Sequence, residues 1–214
     1  TKIAYGLGVS VGDVNGDMYP DIYVSNDFYE KDYLYINQQN GKFKDELPER
    51  MGHISSSSMG ADIADLNNDG YMDIVTTDML PEDEYRVKTM TRFEQYHVEN
   101  MKYRYSFHYQ YPQNSLQLNN GDGTFCETAF LSGIAATDWS WGALLFDFDN
   151  DGYKDIYISN GVYRDISDMD FSDFLMDKKN VEKIIAKKGS YDFRDFLPYI
   201  PSTKLPNYGY VNQR

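Results

Sequence analysis

Three nine-residue stretches of this chain carry oxygen-bearing side chains at positions one, three, five and nine, and no other feature constrains the fold as much. In the third stretch Asp147, Asp149, Asp151 and Asp155 supply four carboxylates, with Gly152 at position six. In the second, Asp65, Asn67, Asp69 and Asp73 stand in the same register around Gly70; in the first, Asp13, Asn15, Asp17 and Asp21 surround Met18. Position seven is Tyr19, Tyr71 or Tyr153, whose backbone carbonyl is expected to face a metal. Carboxylates this close repel one another unless a cation sits among them. Alternate residues of a tight loop turn their oxygens toward one centre, which is how a hard cation such as calcium is held. Asn/Asp-rich surface turns share this composition, but three copies in one register predict three Ca²⁺ sites.

These loops are not EF-hands, which need a bidentate glutamate at position twelve. Val24, Thr76 and Ile158 stand there instead, inside alternating segments at 21–26, 73–78 and 155–160 that read as β-strands. The residues ahead of each loop are also strand-like, and Gly8, Gly60 and Gly142 lie five places before the first aspartate. The unit is therefore strand, loop, strand: a hairpin whose turn needs a metal.

Each unit continues with a further segment. Leu34 to Asn37 is followed by Gly41 and Phe43, and Leu116 to Asn119 by Gly123 and Phe125 at the same offsets. Tyr210, Val211 and Asn212 begin a third copy. The stretch from Asn to Phe reads as a hairpin turn, so each unit is a four-stranded meander of the size of a propeller blade. These residues resemble the FG-GAP and VCBS repeats of integrin α-type β-propellers and many bacterial surface proteins. The insertions, and the run Asp138-Trp139-Ser140-Trp141-Gly142, are similar to the bacterial group related to cartilage acidic protein. The resemblance implies an all-β fold, three four-stranded blades of a larger, seven-bladed propeller, in an extracellular, cell-surface or periplasmic setting. Blade one is expected over about 1–52, blade two over about 53–133 with an insertion at 79–113, and blade three over about 134–214 with an insertion at 161–206. Thr1 stands just before a repeat strand and Arg214 falls within one, so the chain is expected to continue at both ends.

Both insertions enter after the second strand of a blade, which predicts that they emerge on one face and touch. In the second, Asp168 is placed to cap a helix bearing Phe171, Phe174 and Leu175. A second stripe of Val181, Ile184 and Ile185 ends at Lys187, Lys188 and Gly189, in the C-terminal order helices prefer. The first insertion carries a weaker helical pattern from about Glu84 to Tyr103, then a run of aromatics from Tyr103 to Tyr111. Such rings offer flat faces to a sugar or a protein, or simply pack the insertion down. Of Trp139 and Trp141, which alternate with polar residues, one is expected in the core and the other outside.

A net charge of −14 argues against nucleic acid, whose phosphates need a basic face. Ten of the 34 acidic residues sit in the three loops, so part of that acidity is a metal requirement. Cys126 has no partner for an internal disulfide, and no apolar run reaches the length of a membrane span. His53, His97 and His108 pair with no nucleophile in the sequence and read as structural, and the serines at 55–58 read as a linker into blade two. The expected function is a non-catalytic calcium-binding module whose helical, tyrosine-rich face binds a glycan or protein ligand. The alternatives are part of a lyase-like propeller enzyme acting on polysaccharide, with Tyr, His and Arg of the insertions at work, or a structural spacer.

Overall fold

The computed structural model describes residues 4–188 and 192–213. Thr1, the proposed helix stop at Gly189, and Arg214 lie outside them. The protein is mostly β and its large sheets are antiparallel. The first sheet runs in chain order through β1 (Tyr5–Gly12), β2 (Asp21–Asp27), β3 (Tyr33–Asn37) and β4 (Phe43–Asp45). A short helix, α1 (Leu47–Arg50), and a short strand, β5 (Ile54–Ser55), lead to β6 (Gly60–Ala64) and β7 (Asp73–Thr77). The first insertion follows, with α2 (Glu84–Met90), α3 (Tyr96–Arg104) and β8 (Gln110–Tyr111). Next come β9 (Ser115–Asn119) and β10 (Phe125–Glu127), which complete a second sheet in the order β10-β9-β7-β6. The third sheet pairs β11 (Ser140–Phe146) with β12 (Asp155–Asn160). After α4 (Met169–Met176) and α5 (Lys178–Lys188) in the second insertion, it adds β13 (Tyr208–Tyr210).

The nine-residue stretches close hairpins in one register, with Gly12 opposite Asp21, Ala64 opposite Asp73 and Phe146 opposite Asp155. Because strand side chains alternate between faces, the second sheet meets the first with one face and the third with the other. Tyr23, Leu34 and Ile36 of the first sheet pack with Ile74 and Phe125 of the second. Val75 and Leu116, on the opposite face of that second sheet, pack with Ala143, Leu145, Ile156 and Ile158 of the third. Each such fully buried aliphatic or aromatic side chain contributes about 1.5–3 kcal/mol. The sheets thus stack head to tail.

Where their first strands meet, backbone lies on backbone. A Cβ on Gly8 would come within 3.1 Å of Gly60 Cα, and one on Gly60 within 2.7 Å of the Trp141 carbonyl oxygen and 3.0 Å of Gly142 Cα. Glycine at positions 8 and 60 is therefore a packing requirement, since a side chain there would push the sheets apart. Between the same strands the Ser10 hydroxyl donates to the Ala61 carbonyl at 2.6 Å, and Leu145 N–H donates to Asp62 at 2.8 Å.

The insertions meet. Arg86 on α2 donates to Asp138 ahead of β11, and to Asp165 and Thr203 of the second insertion. Asp168 caps α4 by accepting from Phe171 N–H at 2.7 Å, and Phe171, Phe196 and Ile200 form a small core with Phe174, Leu175, Val181 and Ile184. Two details depart from the sequence reading. The helical pattern over 84–103 is broken into α2 and α3 by an extended Thr91, a β-branched residue with poor helix propensity. Strand β5 pairs in parallel with β8, fastening the first insertion to the start of the second sheet. Trp141 is exposed, with its indole N–H on the Gly161 carbonyl at 2.6 Å, whereas the indole nitrogen of Trp139 is buried.

Candidate metal centres

Each loop folds around its first aspartate. Asp13 accepts from Asp17 N–H at 3.1 Å and Met18 N–H at 2.7 Å. Asp65 accepts from Asp69 and Gly70 at 3.1 and 2.9 Å, and Asp147 from Asp151 and Gly152 at 3.1 and 2.9 Å. The side chain at position three (Asn15, Asn67 or Asp149) accepts from the amide of position five. The carboxylate at position five (Asp17, Asp69 or Asp151) accepts from the amide of Tyr19, Tyr71 or Tyr153. Side-chain oxygens of positions one, three and five are thereby turned inward in each loop.

The backbone pays for this closure at positions four and six. Gly16, Asn68 and Asn150 at position four have φ of 72°, 57° and 63°, and Met18, Gly70 and Gly152 at position six have φ of 69°, 90° and 90°. Each loop has one glycine for two left-handed places, and the first loop has put it at position four. Met18 is left with a strained backbone and an 89% exposed side chain.

The Asp147, Asp149 and Asp151 carboxylates bring ligand atoms within 4.8 Å of one another. Two oxygens on opposite sides of a calcium ion, each at about 2.4 Å, are separated by about that distance, so an all-oxygen set of this span fits a hard divalent cation. In the other two loops the amides of Asn15 and Asn67 donate to Asp17 and Asp69 at 3.2 and 2.9 Å, relieving part of the repulsion. Asp149 has no amide proton to give, and its loop is where the acidic groups converge.

The ninth aspartates do something the sequence did not reveal. Asp21, Asp73 and Asp155 are buried, and one oxygen of each accepts from Val14, Leu66 or Phe148 N–H at 2.9–3.0 Å. The other oxygen accepts from Asn37 or Asn119 N–H at the end of the third strand, or from Asn212 N–H two residues past it, at 2.8–2.9 Å. Burial pushes the Asp21 and Asp73 carboxyls up, against the pull of those amides. The ninth aspartate therefore ties its loop to its own sheet. The asparagine side chains carry the link outward: Asn119 donates to the Val14 carbonyl of the first loop at 2.8 Å, and Asn212 to the Leu66 carbonyl of the second at 2.7 Å. Asn68 adds a bond to the Gly152 carbonyl of the third loop at 3.0 Å.

The serines at 55–58 are more than a linker. Ser55 hydroxyl and the Ser56 and Ser57 amides converge on buried Asp78, while Ser58 and Tyr23 hydroxyls donate to buried Asp32 at 2.7 and 2.6 Å. Burial pushes Asp32 up to about 7 and raises Asp78 as well. Among the histidines, His53 lies 3.3 Å from Glu127, and His108 contacts the Met51 carbonyl at 3.0 Å with its pKa lowered by burial. His97 is exposed on α3. Cys126 is exposed within β10. Among the described residues no helix is long and apolar enough to cross a membrane. A family model for an FG-GAP-like repeat matches residues 8–76 and 106–158, more than half of the chain, and spans the three loops up to the fourth strand position of the last.

Proposed function

The chain belongs to the FG-GAP-like repeat family, and from that premise we propose that it is a calcium-braced binding module of an extracellular, cell-surface or periplasmic protein. The observation that carries this reading is the threefold recurrence of one loop geometry, with inward carboxylates at positions one and five and the acid cluster of Asp147, Asp149 and Asp151. Bound calcium supplies positive charge at the centre of each loop. Position one, position three, position five, the carbonyl of position seven and the ninth aspartate are the donors offered to it in each case. Where calcium is abundant, sites with dissociation constants of about 10⁻⁴–10⁻³ M suffice.

The three sheets are read as consecutive blades of a seven-bladed propeller. Their head-to-tail packing and the glycine contacts between first strands favour this arrangement, because a repeated heterologous contact either closes a ring or runs on. The joined insertions then form one face that meets a glycan or protein ligand, and the module itself is non-catalytic. Equilibrium dialysis against calcium followed by elemental analysis is the test. Three ions per chain are expected, falling to two in Asp147→Ala/Asp151→Ala; no calcium above the background of a non-specific acidic protein would overturn the reading.

A further inference from the structure

We propose that the groove between the two insertions and the first sheet binds a neutral oligosaccharide, chiefly on the ring faces of Tyr96, Tyr103 and Tyr109. The proposal rests on the reading of the chain as a binding module and names the ligand class. The groove encloses about 1040 Å³, at the upper end of what ligand sites usually hold. One wall is a single face of α3, on which Tyr96, Glu99, Asn100 and Tyr103 recur at helical spacing. That helix buries none of its residues, so its aromatic rings do not serve a core: Tyr96 and Tyr103 are 80% and 54% exposed. Tyr109 faces Tyr103 across 4.5 Å at 30°, and Tyr29 lies under Lys102 at 5.1 Å.

The backbone at this place is held in conformations that bulky residues avoid. Phe28 and His108, both in the lining, have φ of 66°, and Ser106, just ahead of the Tyr109 wall, has φ of 64°. Such residues persist where the surroundings fix them, and they gather at ligand sites.

The chemistry of the lining selects the occupant. Its apolar surface is aromatic, with Met90, Pro112 and Ile166 the exceptions, whereas a groove for an amphipathic helix is walled by aliphatic side chains. Tyrosine offers a flat apolar face to the C–H face of a sugar ring and a hydroxyl to its edge. Asn100, Ser56, Ser57 and Ser172 add donors and acceptors suited to hydroxyl groups. The charges balance: Lys102 is paired with Glu94 at 2.8 Å, and Arg92 and Glu99 contribute one of each sign. On a chain of net charge −14, no positive field gathers a polyanion, so the favoured sugar is neutral.

Titration calorimetry of the full chain in calcium, with neutral gluco-, manno- and xylo-oligosaccharides and matched uronate oligomers, tests this. We expect a neutral series to bind and the uronates not to. Affinity should fall about ten-fold or more in Tyr103→Ala and Tyr109→Ala, as for truncated aromatic anchors. It should be retained in Tyr109→Phe and in Tyr85→Ala, which changes an exposed tyrosine outside the groove. Binding of uronates alone, binding indifferent to Tyr103 and Tyr109, or binding of a protein but no sugar would each overturn the proposal. Melting each sample with and without calcium separates the two readings. Absent sugar binding with an intact calcium shift overturns the ligand class alone, and an absent shift overturns the calcium-braced module.

Discussion

Two single residues carry costs that the fold absorbs elsewhere. Met18 holds a left-handed backbone with φ of 69° where its two counterparts are glycines. That conformation costs an L-residue about 1–2 kcal/mol, partly offset in any glycine variant by the greater freedom of the unfolded chain. Met18→Gly is therefore expected to raise stability by about 1 kcal/mol and to tighten calcium at the first loop, leaving the other two unchanged; chemical denaturation and calorimetry measure both. Asp32 is buried at 1% exposure with its carboxyl pushed up to about 7, chiefly by burial, from 3.8. Between those values the folded protein holds a proton that the unfolded chain has given up, so stability falls as pH rises toward 7 and levels off above it. The corresponding places in the other sheets hold Asn114 and Asn207, which likewise accept from an amide at the end of the second strand, Asp78 or Asn160 in place of Asn26. Asp32→Asn should flatten the fall in stability between pH 5.5 and about 7 and match or exceed the parent at pH 8. A denaturation series across pH that keeps its slope in the variant would place the titration elsewhere.

At the scale of elements, the hairpins were legible because everything that builds them is local. Carboxylates two residues apart, a strand of period two and a glycine before the turn all fall within about twenty residues of one another. What ties the elements together was not legible, because its partners are distant in sequence. The ninth aspartate finds its asparagine 16, 46 or 57 residues away, and no periodicity marks that pairing. The serines at 55–58 looked like a linker because their partner Asp78 lies beyond a whole hairpin. The asparagines now account for the recurring Leu-x-x-Asn segment: Asn119 donates to Val14 of one loop and to Met72 of its own. Leaving a buried carbonyl bare costs about 1–3 kcal/mol, and of the two that share this donor Val14 is buried and Met72 partly so. Asn119→Ala should thus lower stability and weaken calcium at both the first and second loops, read by titration of each loop separately. Arg86 couples the insertions by a similar logic, since Asp138 and Asp165 have side chains only 10% and 1% exposed. Arg86→Met leaves two buried carboxylates unpaired, a change that costs about 3–5 kcal/mol in buried pairs. Hydrogen exchange should rise in both insertions while the strands of the first sheet stay protected; protection unchanged in either insertion would contradict the coupling.

For the whole molecule, the stack presents apolar faces at both ends. Leu7, Val9 and Val11 on the first sheet are 52–67% exposed, and Leu144 and Phe146 on the third are 57% and 43% exposed. The second sheet shows what covers such faces, since Ala61, Ile63 and Ile74 lie against the first sheet and Val75 and Leu116 against the third. Further repeats on either side would bury them in the same manner. The glycines make the same point: a Cβ on Gly60 strikes backbone, whereas one on Gly142 meets only Ser159 Oγ at 3.8 Å. Seven loop carboxylates, those of Asp13, Asp17, Asp65, Asp69, Asp147, Asp149 and Asp151, are turned inward in a chain of net charge −14, so a bound cation would relieve a repulsion that the folded loops impose. An ion that binds only the folded state stabilises by about 2.7 kcal/mol at a hundred-fold excess over its dissociation constant. Thermal unfolding in millimolar calcium and in chelator is therefore the most direct measurement. A transition several degrees higher in calcium, restored by adding calcium back after chelation and reduced in Asp147→Ala/Asp151→Ala, is the predicted result. Coincident transitions in the two buffers would mean that the three loops are ordinary turns held by their own amides.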